Sequence, residues 1–275
     1  TIAPTQDSLS QMTAEELRQE FARRFRPDQA ILVAVGDFDP AKMSAMLKEK
    51  LGTWKAPAAP ATAVNAKPPA APPHAVTFVA RPNSVQTTLV LASFGPLRSD
   101  PDYEAADVAN AIYGGTFTSR LIVNIREDKG YTYSPGSNLD TLRQAGVLRT
   151  QADVRNAVTG ASLNEITYEL NRMATTSPTE EELNRAKRFL LGIEAITLQV
   201  RSAVAGELTE LWLNGLGPEG ISTYNQKVSA MKAEDVDSAA RKYFPASRMT
   251  IVAVGEEKVI HDALEPFGLP LQSPK

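Results

Sequence analysis

Apolar residues along this chain switch between two spacings, every third to fourth residue and every second residue, and the switches mark out alternating helices and strands. Leu17, Phe21 and Phe25 recur at four-residue spacing behind Thr13, a capping residue followed by Glu15 and Glu16, which predicts a helix over 13–25. The run 30–35 predicts a strand buried on both faces. Asp39 and Pro40 predict the start of a helix to Leu51 with Met43, Met46 and Leu47 facing inward. Strands follow at 76–80 and 86–94, the second apolar enough to be central. Asp100 with Pro101 is expected to open a helix whose stripe of Ala105, Val108, Ala109 and Ile112 runs up to Gly114 and Gly115. Thr118 or Ser119 restarts a helix carrying Leu121, Ile122 and Ile125, and Gly130 ends it ahead of a strand from Tyr131. Alternation over 147–154 predicts a half-buried strand, and Leu163, Ile166, Leu170 and Met173 a further helix. Ser177-Pro178-Thr179-Glu180 reads as a capping box that opens a long helical region through Leu183, Leu190 and Ile193 and on to Leu213.

One stretch, 56–75, has neither spacing: its Ala/Pro-rich composition predicts a semi-rigid extended spacer that divides the chain. The two sides are related. MTAEELRQEFARRFRPDQAILVAVG from Met12 aligns without a gap to MKAEDVDSAARKYFPASRMTIVAVG from Met231, at a constant offset of 219 residues. Met12, Ala14, Glu15, Phe25, Val33, Ala34, Val35 and Gly36 meet identical residues, a pattern that reads as an internal duplication. The expected organisation is therefore a closing segment of an N-terminal unit over 1–55, the linker, and a complete second unit over 76–270. On that reading the chain is part of a longer protein.

Composition narrows the chemistry. With 43% hydrophobic residues the chain can bury a sizeable core, and a net charge of -3 argues against nucleic acid as a partner. No apolar run approaches the roughly 20 residues of a membrane helix. The absence of cysteine removes disulfides, thiolate metal sites and cysteine nucleophiles. His74 lies among prolines and His261 beside Asp262 in what reads as a solvated setting; neither has a second ligand at metal spacing. No Ser stands in a G-x-S-x-G elbow, and Gly114-Gly115-Thr116 follows a helix and lacks phosphate-loop spacing.

The most information-rich run is YGGTFTSRLIVNIREDKGYTYS, from Tyr113. Taken alone, Arg126 to Lys129 is an ordinary charged helix end. The whole run, however, resembles the signature G-G-x-x-S-R-L-x-x-x-I/L-R-E-x-x-G-x-x-Y-S in the C-terminal unit of the pitrilysin/insulinase family of zinc metallopeptidases, the inverzincins. FRPDQAILVAVGDFDP is similar to the closing strand of that family's N-terminal unit, and the likeness extends over nearly the whole chain.

The resemblance implies an α+β fold. Two α/β sandwich units, each a mixed, mostly antiparallel sheet covered by helices, face each other as a clamshell around a chamber. It implies that Arg126 and Tyr133 hold the substrate backbone, since both are donors that can grip a peptide carbonyl. Gly114, Gly115, Ser119 and Gly130 would frame them. The family's zinc motif, H-x-x-E-H, is absent from the chain; Ala106, Ala109 and Asn110 fall roughly where its ligands and base would lie. Zinc is then expected in an N-terminal unit or a homologous partner subunit, with a dimer as the assembly. The chain itself would be inactive alone and would take peptide or unfolded polypeptide. The alternative is a non-catalytic assembly subunit like those related to mitochondrial processing peptidase. The family leans towards a bacterial periplasm.

Overall fold

The computed structural model describes residues 4–61, 68 and 70–273. Three helices come first: α1 (Gln6–Ser10), α2 (Ala14–Arg24) and α3 (Pro40–Leu51). After the spacer, part of which lies outside the described residues, β1 (Val76–Ala80) and β2 (Gln86–Gly95) lead to α4 (Tyr103–Asn110) and α5 (Arg120–Ile122). Next come β3 (Gly136–Thr141), β4 (Gly146–Arg155), α6 (Thr159–Thr175), α7 (Glu180–Thr197), α8 (Arg201–Leu213), α9 (Gly220–Ala230) and α10 (Ala233–Tyr243). β5 (Thr250–Gly255), α11 (Glu257–Leu264) and β6 (Leu271–Gln272) close the chain.

The strands form one mixed sheet in the order β3-β4-β2-β5-β1-β6. From β3 through β4 and β2 to β5 each adjacent pair is antiparallel, and β1 is parallel to both β5 and β6. The period-2 pattern explains the layering: Leu148, Thr150, Ala152 and Val154 of β4 are buried, whereas Gln151 and Asp153 are exposed on the other face. Against the buried face pack α4, α6, α10 and α11, which contribute Val108, Ile166, Leu170, Val236 and Ile260 to one core. α7 and α9 lie outside α4. This is the α+β sandwich expected from the sequence.

Side-chain caps open α1, α2, α3, α5 and α7. Thr13 and Glu16 exchange hydrogen bonds, 3.2 Å from the Glu16 amide to Thr13 and 2.8 Å from the Thr13 amide to Glu16. The α7 box is built from Thr179 and Glu182, not from Ser177, whose hydroxyl bonds Asp237 instead. Asp100 does not cap α4 either; its carboxylate accepts from the Leu97 amide at 2.9 Å and closes the preceding turn, so the helix begins at Tyr103. The long helical region breaks at 198–200, where α8 turns 113° from α7, and Ile193 is exposed. Residues 131–135 are irregular, with the strand beginning only after Pro135, which has no amide to give a ladder. His74 is anchored, its Nδ1 lying 2.6 Å from the Met249 carbonyl, and His261 packs edge-on to Phe78 at 4.8 Å.

The two segments aligned at an offset of 219 residues allow an internal comparison. At the offset of 219 residues α2 matches α10 end for end, and the single turn Pro27–Gln29 matches Ala246–Arg248. What differs is burial. Phe25 is 59% exposed and its counterpart Phe244 1%; Leu32 is 56% exposed and Ile251 is fully buried. The expected strand over 30–35 is absent, because its counterpart β5 exists by pairing on both sides with β1 and β2, and among the described residues no strand flanks 30–35. In α3, Met46 is exposed where the sequence had placed it inward, for the same lack of a facing layer.

Candidate functional site

Gly114 and Gly115 end α4 in a widened turn, Ala111–Gly115, with one more residue per hydrogen-bonded loop than an α-helix. Gly114 is required by a close approach: a Cβ there would lie 2.8 Å from the Ser137 Cβ on β3. The turn is pinned underneath by Tyr113, fully buried, whose hydroxyl meets the Thr150 hydroxyl at 3.0 Å and whose ring meets Phe244 edge-on at 5.5 Å. Burial of that phenol pushes its pKa upward.

Ser119 then caps α5, and Ile125 and Leu121 are fully buried beneath it. The helix widens again over Val123–Asp128 and ends at Gly130, whose φ of +61° suits a residue without Cβ. Three contacts fix this segment. The Asn124 amide donates to Glu165 and Glu169 at 3.1 and 2.8 Å, and the Lys129 ammonium lies 3.2 Å from Glu165, all on α6. Arg120 enters a two-pronged pair with Glu182 at the start of α7, 2.7 and 2.9 Å, with only 4% of its side chain exposed. Beyond Gly130, the Thr132 hydroxyl donates to the Asp153 carbonyl at 2.6 Å, tying the loop to β4.

The result is that Arg126 and Tyr133 converge. The Arg126 guanidinium carbon sits 5.0 Å above the Tyr133 ring and 5.9 Å from the Phe117 ring. Its Nε is 3.1 Å from Glu127, while Tyr133 is 80% exposed and presents its phenol to solvent. Both line a cleft of about 540 Å³ between the two widened turns, the β3–β4 edge of the sheet and α7. Gly114 and Gly115 line it as well, whereas Ser119 and Gly130 act from behind, as cap and terminator. Phe117, Phe189 and Arg149 also line it and were not singled out from the sequence. The alternation of β4 did put Arg149 and Gln151 on the face away from the helices, and the register facing Arg149 to Asn138 and Gln151 to Gly136 completes the wall.

The residues of this unit do not fit a metal. Ala106 and Ala109 are fully buried methyl groups, and the Asn110 amide donates to the Ser137 carbonyl at 3.3 Å. Among the described residues no group of three or more His, Asp or Glu is placed to hold an ion, and no single helix is long and apolar enough to cross a membrane.

Fold and site together define an α+β domain of peptidase type in which no metal-binding cluster is found among the described residues. The chain belongs to the M16 peptidase family, the group that the Arg126 motif resembles: the family description "Peptidase M16 inactive domain" matches residues 11–190. It is 24% identical over 272 residues to an uncharacterized zinc protease of Streptomyces coelicolor, covering 96% of this chain and 59% of that protein. The crystal structure of a peptidase M16 inactive domain from Pseudomonas fluorescens superposes with a TM-score of 0.83 at 25% identity, over 91% of this chain and 60% of that one. A chain of complex III from Candida albicans shares the fold at 19% identity, with a TM-score of 0.71 over 94% of this chain and 62% of that one. The chain thus spans about three fifths of the length of these relatives.

Proposed function

We propose that this chain is the substrate-binding half of a two-unit zinc metallopeptidase, holding extended peptide in the cleft through Arg126 and Tyr133 and inactive on its own. One observation carries the reading: two strong hydrogen-bond donors on separate segments, the Arg126 guanidinium and the Tyr133 phenol, lie side by side in one cleft. A guanidinium and a phenol presented together stabilise charge developing on a peptide carbonyl oxygen. The metal and the attacking water belong to an N-terminal unit or a homologous partner subunit, in keeping with relatives named zinc proteases. The partner is expected over the apolar face of Leu17, Phe21 and Phe25, which nothing covers among the described residues.

The likeness to a complex III chain favours a second reading, an assembly subunit without substrate. Arg126→Ala and Tyr133→Phe separate the two. In the protein reconstituted with its zinc-bearing unit, each substitution is expected to cut kcat for peptide cleavage by about a hundredfold, the effect of losing one oxyanion donor. Unchanged cleavage refutes the assignment. An intact complex that neither cleaves nor binds peptide supports the assembly reading.

A further inference from the structure

The cleft has a charge asymmetry that the Arg/Tyr pair does not account for. Two side chains of its lining are charged, Arg126 and Arg149, and no carboxylate lines it. Arg126 is already engaged, by Glu127 and by two aromatic rings. Arg149 is not: its counter-charge is Asp140, with Nε 3.8 Å from Oδ2 and 41% and 56% of the two side chains exposed. A pair this long and this exposed contributes little and exchanges readily. The guanidinium fork is a better match for a carboxylate that can approach both of its edges. Beside it, Asn138 and Gln151 offer neutral amides, so within the lining a bound anion would meet donors, and the carboxylate it has to displace from Arg149 is the loosely held Asp140 outside the lining.

We infer that Arg149 makes this cleft selective for peptides bearing a carboxylate next to the gripped segment, supplied by an Asp or Glu side chain or by a free C-terminus. The inference rests on the reading of the cleft as a peptide site. Arg126 and Tyr133 would then bind any backbone, and Arg149 would choose among sequences.

Three fluorescent peptides of equal length and apolar content test it on the full chain by anisotropy. One has a central Glu and an amidated end, one a free C-terminal carboxylate and no acid, and one neither. At least one carboxylate peptide is expected to bind about three- to tenfold tighter than the neutral one, a margin that shrinks with salt. Arg149→Gln should erase the margin, bringing the carboxylate peptides to the affinity that the same variant shows for the neutral one, with the chain's melting temperature unchanged. A margin confined to the Glu peptide assigns the side chain as the carboxylate source, and one confined to the free end assigns the terminus. Equal affinity for all three, or a margin that survives Arg149→Gln, overturns the inference and leaves the peptide site standing. No binding of any peptide overturns the peptide site and the inference with it.

Discussion

Replacing Arg120 with Met tests the frame of the site, because this side chain joins the segment carrying Arg126 to the helix carrying Phe189. The Arg120 guanidinium, by its hydrogen bonds, together with the capping bonds of Thr179, holds the Glu182 carboxyl down to about 2 from an ordinary 4.5. That difference corresponds to about 3 kcal/mol of folding free energy. Thr179 keeps its share in the variant and Glu182 is 21% exposed, so the expected loss is about 2 kcal/mol at pH 7. For a chain of this size that lowers Tm by about 4–8 °C. The folded carboxyl is the stronger acid, so its stabilisation is complete above pH 4.5 and disappears as pH falls from there towards 2. Circular-dichroism melts at pH 7 should show the full deficit, and melts at pH 3 a smaller one. A double-mutant cycle with Glu182→Gln should give a coupling of about 1–2 kcal/mol. Additive losses at pH 7, or a deficit that does not shrink in acid, refute the pairing argument.

Other predictions follow from the same geometry. Gly114→Ala forces a methyl group against β3, 2.8 Å from the Ser137 Cβ, and should cost about 2 kcal/mol in urea unfolding and weaken peptide binding. Gly130→Ala meets no atom within 4 Å but must hold a left-handed φ, so it should cost about 1 kcal/mol with no steric signature in a crystal structure of the variant. Phe21→Ser with Phe25→Ser should leave the melting temperature of the chain within the equivalent of about 0.5 kcal/mol, since both rings are exposed and stack only on each other at 4.4 Å. The same pair of changes should abolish co-purification with a zinc-bearing unit.

What could be read from the sequence was whatever is encoded locally. Thr13 and Ser119 cap the helices expected of them, the stripe Ala105, Val108, Ala109 and Ile112 is buried, and Gly130 terminates where a left-handed residue was needed. Arg126 and Tyr133 were visible only through a family signature, because no spacing rule predicts that a guanidinium and a phenol seven residues apart meet across a turn. Their approach depends on the widened helical turn over 123–128 and on Thr132 reaching β4, which are tertiary facts. Arg149 and Phe189 escaped notice for a related reason: each is unremarkable on its own strand or helix, and only the packing of α7 beside the β3–β4 edge brings both into one cleft. The strand over 30–35 failed because an apolar run states a willingness to pair and says nothing of whether a partner exists.

The sheet order carries a consequence for how the molecule is made. Among the described residues β5 is the last long strand in chain order, yet it sits between β2 and β1, both completed by residue 95. Without β5 the strand order leaves β3-β4-β2 on one side and β1 on the other with nothing joining them. Assembly therefore cannot proceed from one end to the other; the core closes in a late, long-range step. A chain stopped short of Thr250 would lack its central strand and leave strand edges on both sides of the gap unpaired.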